Sequence, residues 1–184
     1  EFKFPFGFKE LEGIHSRTDF DLKQHEEFSG RKIQYFDPEI GESYVPYVVE
    51  TSIGLDRMFL AVLSASYRQE KLDDFSERVV LKIPKKLSPY KAAILPLLKK
   101  DGLPDLARKI MQDLTPYFML QYDEKDSIGK RYRRQDAIGT PYSITIDHDS
   151  INDDSVTIRD RDSMTQHRIK TKELKAFLDK NISI

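Results

Sequence analysis

The stretch Val45-Pro46-Tyr47-Val48-Val49-Glu50-Thr51-Ser52-Ile53-Gly54-Leu55-Asp56-Arg57 carries a β-branched segment into an apolar-periodic one, so the chain turns from strand to helix at a carboxylate, a glycine and an arginine. From Gly54 onward Leu55, Met58, Phe59, Val62 and Leu63 recur at i, i+3, i+4, i+7 and i+8. That spacing predicts one apolar stripe on an α-helix of about four turns, ending near Tyr67. The strand end aims Glu50 and Ser52 at one spot, Gly54 lets the backbone approach a ligand closely, and the helix N-terminus with Arg57 favours an anion. A small zwitterion beside a phosphate would suit such a junction. Taken singly, each charge has a plainer reading: Glu50 pairs with a neighbouring arginine, and Arg57 caps a surface.

Working outward, Phe2 to Phe8 alternates Phe with Lys, Pro and Gly, as in an extended strand or a turn closing on a core. Ser16-Arg17-Thr18-Asp19 offers capping residues for a short helix containing Phe20, Leu22 and Phe28. Gly30 to Ser43, with Asp37-Pro38 and Gly41, reads as a hairpin, with Ile33, Tyr35 and Tyr44 to Val49 as strand material. Beyond the helix, Gln69 to Glu77 has Asp73-Asp74 and no apolar period, which suits a linker, and Arg78 to Ile83 is a short strand leading to Pro84. An alternating order follows: strand Lys91–Leu97, helix Leu103–Leu114, strand Phe118–Tyr122, helix Ser127–Ile138, strands Tyr142–Ile146, Ser155–Arg161 and Gln166–Ile169, and a closing helix Thr171–Asn181. Strands alternating with helices imply a mixed sheet flanked by helices, here over about 100 residues.

The 184 residues, 39% of them apolar and 11 of them Phe, suffice for one large or two small domains. There is no run long and apolar enough to span a membrane and no basic-then-apolar signal segment, so no membrane partner is expected. The first residue is Glu1 rather than methionine, which reads as a fragment or a processed piece. With no cysteine, disulfides and thiolate metal sites are excluded, and the four histidines lack a ligand spacing, so no metal site is expected. The net charge of −1 hides an asymmetry. Residues 1–79 hold 10 Lys and Arg against 16 Asp and Glu, whereas residues 80–184 hold 20 against 15. An acidic part joined to a basic part suggests that only the second meets a polyanion.

Phe6-Gly7-Phe8-Lys9-Glu10-Leu11-Glu12-Gly13-Ile14-His15-Ser16-Arg17-Thr18-Asp19-Phe20-Asp21-Leu22, then Tyr44 to Glu50, then Ser52-Ile53-Gly54-Leu55-Asp56-Arg57, resemble the C-terminal part of the catalytic domain of the glycyl-tRNA synthetases of the dimeric class II type. Arg78 to Ile169 resembles the anticodon-binding domain of the same family. The residues that carry this are Leu95-Pro96-Leu97, Lys100-Asp101-Gly102-Leu103-Pro104, Ser127-Ile128-Gly129-Lys130-Arg131-Tyr132-Arg133-Arg134-Gln135-Asp136, Ile138-Gly139-Thr140-Pro141 and Val156-Thr157-Ile158-Arg159-Asp160-Arg161-Asp162. The fold it implies is α/β: residues 1–79 a C-terminal piece of an antiparallel-sheet catalytic domain, and residues 80–184 a mixed five-stranded anticodon-binding domain. The implied activity is ligation of glycine to its tRNA with ATP and Mg²⁺, in a homodimeric, cytoplasmic enzyme.

Carried over position by position, the resemblance makes Ser52 to Arg57 class II motif 3, with Arg57 on the ATP adenine and phosphates as the catalytic residue. Gly54, Leu55 and Asp56 form the adjoining backbone wall. The glycine site takes in Glu50, Thr51, Ser52, Ile53 and Gly54, where the carboxylate meets the amino group and crowding excludes larger amino acids. Glu10 and Leu11 fall in a stretch that contacts ATP, through Mg²⁺ or the nucleotide edge. Arg17 is a further candidate, with fixing the Glu10 region as its structural alternative. Thr51 departs from the proline usual there, freeing one φ angle. Class II motifs 1 and 2 lie outside these residues, so the chain alone is expected to be inactive. In the basic part, Lys130, Arg131, Arg133 and Arg134 crowd around Tyr132, and Arg159 and Arg161 alternate with Asp160 and Asp162, so all six cations are expected to bind tRNA. A salt-bridged strand and a solvated helix are the structural alternative. The competing functional class is a non-catalytic synthetase-like nucleic-acid-binding module.

Overall fold

A computed structural model describes residues 1–72 and 76–182 and divides the chain into two compact units, Glu1–Ser64 and Ala65–Ile184. The division falls ahead of the one expected at residue 79.

The first unit is built from paired ribbons. Strands β1 (Phe2–Phe4) and β2 (Gly7–Lys9) form a hairpin whose turn needs Gly7 at φ 104°, so the opening segment is both strand and turn. Strand β3 (Glu12–Thr18) pairs antiparallel with β6 (Val48–Ile53), and between them lie helix α1 (Phe20–Ser29) and the hairpin of β4 (Tyr35–Asp37) and β5 (Glu42–Tyr44). Sequence reading left β3 unassigned because its run Glu12-Gly13-Ile14-His15-Ser16-Arg17 is polar and lacks a β-branched core face. The strand expected over Tyr44–Val49 is interrupted: Val45 to Tyr47 are not in a strand, and Pro46 lacks the N–H a ladder requires.

Helix α2 (Leu55–Ser66) matches its expected span, but its stripe is not uniformly covered: Leu55 and Phe59 are 81% and 64% exposed, while Ala61 is buried. The unit's sheets have only two strands each, too narrow to bury a helix face.

In the second unit the two ends of the expected linker belong to strands. Strand β7 (Tyr67–Lys71) pairs antiparallel with β8 (Glu77–Leu81); Asp73 and Asp74 lie outside the described residues. A cross-strand pairing supplies order that the polar sequence of β7 does not announce. Then come β9 (Ala92–Pro96), α3 (Leu103–Leu114), β10 (Leu120–Tyr122), α4 (Ile128–Ile138), β11 (Tyr142–Ile146), α5 (His148–Asp153), β12 (Ser155–Asp160), β13 (Gln166–Lys170) and α6 (Leu174–Ile182). Only α5 is new among these. Its signal is Asp147-His148-Asp149-Ser150, a capping box in which the Asp147 carboxylate accepts from Ser150 N–H and the Ser150 hydroxyl accepts from Asp147 N–H.

The five strands lie in the order β10-β9-β11-β12-β13, with β10, β9 and β11 parallel and the last two antiparallel. The expected mixed five-stranded sheet is thus present. Its two faces differ. Ala92 and Ile94, Tyr142, Ile144 and Ile146, and Val156 and Ile158 are paired in register and pack against Leu103, Ala107, Ile110 and Leu114 of α3 and Leu174 and Leu178 of α6. Each buried Val, Leu or Ile among them contributes about 1.5–3 kcal/mol. Alternate positions point the other way: Ser143, Thr145, Thr157 and Arg159 form a polar face, and α4 lies over it.

Candidate active-site ribbon and nucleic-acid surface

In the first unit, the β3–β6 register sets Gly13 opposite Ser52 and His15 opposite Glu50. Directly opposed residues of an antiparallel pair share a face, so Glu50, Ser52 and His15 project to one side while Thr51 and Ile53 project to the other. Gly13 is buried, and a Cβ on it would stand 2.5 Å from Nε2 of His15. Arg17, beside an irregularity in the pairing between Ser16 and Thr18, donates to both Asp21 carboxylate oxygens at 2.8 and 3.0 Å and lies 3.4 Å from Oε2 of Glu50. Its Asp21 hydrogen bond raises the Arg17 pKa, and the same bond lowers that of Asp21.

Arg57, in the first turn of α2, donates from Nη1 to the carbonyl oxygen of Glu10 at 2.6 Å. The structural role considered for Arg17, holding the Glu10 stretch, therefore belongs to Arg57. This brings Glu10 and Arg57 together across the ribbon, while Glu10, Asp56 and Arg57 keep their side chains in solvent. Leu11 is half-buried. Gly54 has no left-handed φ, and a Cβ there would meet only ordinary contacts with Arg57 at 3.6–3.8 Å, so nothing among the described residues demands glycine. Among the described residues no three His, Cys, Asp or Glu side chains gather closely enough to hold a metal ion, and no helix is long and apolar enough to cross a membrane.

In the second unit the six expected tRNA-binding cations separate into three kinds. Arg131, Arg159 and Arg161 are buried, at 2%, 5% and 2% exposure, which corrects the reading of a free basic face. Arg131 donates to the carbonyls of Pro96, Leu97 and Asp123, at the carboxyl ends of β9 and β10. Those strand ends leave carbonyls without ladder partners, and a guanidinium with five donors satisfies several at once. Arg159 is bidentate to Asp136, at 2.7 and 3.0 Å, and lies over the Tyr132 ring. Arg161 donates to the carbonyls of Gly139 and Ile83 and to the Asp162 carboxylate. Arg134, half-buried, is neutralised by Asp123 and Asp126. The expected alternation on β12 does hold, since Arg159 and Arg161 share a face, but that face points under α4.

A residue missed by sequence reading ties this together. Arg78 of β8, 2% exposed, donates to Asp136, to the carbonyls of Arg161 and Asp162, and to Glu70 of β7. Asp136 thus sits between two guanidiniums. The signal was faint, a lone arginine in an otherwise apolar strand start.

Lys130 and Arg133 remain. Among the described residues neither makes an ion pair, and with Gly129, Tyr132, Met164, Gln166 and the edge of Arg159 they line a depression of about 410 Å³. The Tyr132 ring is fixed at its far end by a 2.6 Å hydrogen bond to Thr145. A depression with cations at the rim and an aromatic ring and an amide inside suits an unpaired nucleotide.

The anticodon binding domain family matches residues 91–181, which contain every residue lining this depression. Residues 91–181 belong to that family. The chain as a whole is similar to the glycine–tRNA ligase of Borrelia hermsii, with 51% identity over 97% of the chain, and to that of Geobacillus thermodenitrificans, with 55% identity over its full extent. The glycine–tRNA ligase of Chlorobaculum tepidum is 52% identical over 97% of the chain. The chain spans about 40% of the length of these relatives. The polar face under α4 is therefore the interior of an anticodon-binding domain, and the depression at Lys130 lies on its surface.

Proposed function

We propose that this chain is the motif 3 and anticodon-binding portion of a glycine–tRNA ligase, with residues 1–79 serving catalysis and residues 80–184 binding tRNA. The observation that carries this is identity of 51–55% along the chain to glycine–tRNA ligases, with Glu50 and Ser52 on one face of the ribbon and Arg57 opening the next helix. In the complete enzyme a glycine carboxylate oxygen attacks the α-phosphorus of ATP, the bond to the bridging oxygen breaks, and pyrophosphate leaves. The 3′-terminal ribose hydroxyl of the tRNA then attacks the glycyl carbonyl carbon, loses its proton, and displaces AMP.

Glu50 receives the glycine ammonium and Ser52 lines the small side of the site, with Thr51, Ile53 and Gly54 completing it. Gly54, Leu55, Asp56 and Arg57, with Glu10 and Leu11, form the ATP side. Arg57 acts electrostatically on phosphate charge rather than as an acid or base. The tether to the Glu10 carbonyl orients it. ATP would be used as its Mg²⁺ complex, with Glu10 the carboxylate on the ATP side that could meet the ion. The enzyme works as a homodimer in the cytoplasm. On the anticodon-binding domain, Lys130 and Arg133 meet tRNA phosphate while Tyr132 and Gln166 face an unpaired base.

Arg57→Ala in the full-length enzyme is expected to lower adenylate formation tens-fold or more at saturating glycine, the scale of one lost charge-assisted contact. ATP–pyrophosphate exchange measures this, and an unchanged rate removes Arg57 from the site.

A further inference from the structure

The β3–β6 ribbon carries an arrangement of which the ligase reading uses only the β6 half. Gly13 and Ser52 face each other, His15 and Glu50 face each other, and all four belong to one face of the ribbon. On that face Gly13 contributes no side chain, and the space is filled by His15. A Cβ on Gly13 would lie 2.5 Å from Nε2 and 3.2 Å from Cδ2 of the imidazole. The ring therefore lies along the strand over Gly13, against the position opposite Ser52, with its outer side exposed. Its own cross-strand neighbour is the carboxylate that would hold an ammonium group. Arg17 comes within 3.4 Å of Oε2 of that carboxylate, and among the described residues Oε1 accepts no hydrogen bond.

We propose that His15 is the side wall that restricts the Glu50–Ser52 site to an amine bearing no side chain, and that Gly13 is needed because its missing Cβ lets the imidazole lie there. The inference rests on the reading of that face as the glycine site. A ligand whose ammonium meets Oε1 of Glu50 places its α-carbon beside Ser52. A substituent on that carbon directed toward β3 meets the ring over Gly13, and the ring's atoms are the nearest to the place a Cβ on Gly13 would take. Exclusion by bulk is the effective device here, since a pocket distinguishes a single added methyl only weakly through attraction alone.

The test is ATP–pyrophosphate exchange by the full-length enzyme with glycine and with alanine. His15→Ala is expected to raise the ratio of kcat/KM for alanine to that for glycine about 10-fold or more, on the scale of one methyl group in a pocket. His15→Leu keeps the bulk and is expected to retain the wild-type ratio. An unchanged ratio in His15→Ala, or equal relaxation in both variants, overturns the proposal. Wild-type enzyme that exchanges with neither amino acid instead overturns the ligase reading itself, so the two failures are distinguishable. Because His15 is exposed and its side chain makes no core contact, loss of folding is not the expected effect of either change.

Discussion

Asp136 concentrates more consequence than any other single residue of the second unit. Its carboxylate is 1% exposed and receives Arg159 on both oxygens and Arg78 on one. Removing it leaves two guanidiniums buried with incomplete compensation, the costly half of a buried ion pair. Asp136→Asn is accordingly expected to destabilise the protein by about 3–5 kcal/mol. Urea unfolding of the wild type and variant at neutral pH measures the difference. Asp160, on the opposite face of β12, makes a separate and titratable contribution. Burial opposes its ionisation, but hydrogen bonds from the Lys85 ammonium and from the backbone N–H groups of Ser163 and Asp162 outweigh it, and its pKa falls to about 2. With the folded value below the ordinary 3.8, this contribution is complete above that pH and is lost as pH falls toward about 2. Its loss should remove about 2 kcal/mol of stability between those limits. Asp160→Asn should flatten that portion of the pH–stability curve; an unaltered slope would deny the Lys85 pairing its role. The alternation Arg159-Asp160-Arg161-Asp162 was legible as two faces, but which face met solvent was not, because period two carries no direction.

Helix α4 shows the same division at the scale of an element. Its span and its ending were plain, since Gly139 supplies the left-handed C-cap at φ 84° and its N–H reaches the Asp136 and Gln135 carbonyls. Which of its cations are exposed was not legible from composition. Four cations in five positions read as a basic face, yet a helix of this kind covers a sheet whose strand ends need donors, and Arg131 turns inward to supply them. The consequence is a prediction that separates neighbours one residue apart. Lys130→Ala and Arg133→Ala are each expected to reduce the slope of log affinity against log salt for glycine tRNA by about 0.7, as for one phosphate contact on a single-stranded segment. Filter binding across a salt series reads this directly. Unfolding curves of these two variants should remain close to wild type, as surface changes usually do. The ribbon of β7 and β8 marks the opposite error. A polar stretch resembling a linker begins as a strand because its partner β8 follows closely and pairs in register from Tyr67 with Leu81 to Lys71 with Glu77, and Arg78 anchors β8 to the sheet's polar face.

At the scale of the whole molecule, the two units differ in how completely they bury their apolar side chains. In Glu1–Ser64 the buried hydrophobic residues are Phe4 and Ala61, while Phe6, Phe8, Ile14, Phe28, Val49 and Phe59 are exposed. The second unit buries a continuous core between sheet, α3 and α6. Protection from hydrogen exchange is therefore expected to be greatest in β9, β11 and β12 and much lower throughout residues 1–64 of this chain. Mass spectrometric exchange resolves the two regions, and equal protection would contradict this account of where stability resides. The sequence by itself determined the element order of the second unit, the strand-to-helix junction at Gly54 and the family resemblance, because apolar period, capping residues and turn residues are local and survive without context. Only the tertiary structure decided that Arg131, Arg159 and Arg161 are interior ligands of carbonyls and of Asp136, that Arg57 holds the Glu10 carbonyl, and that His15 lies over Gly13. A guanidinium is equally suited to phosphate, carboxylate or carbonyl, and which of these it meets depends on the chain brought beside it by the sheet, not on its neighbours in sequence.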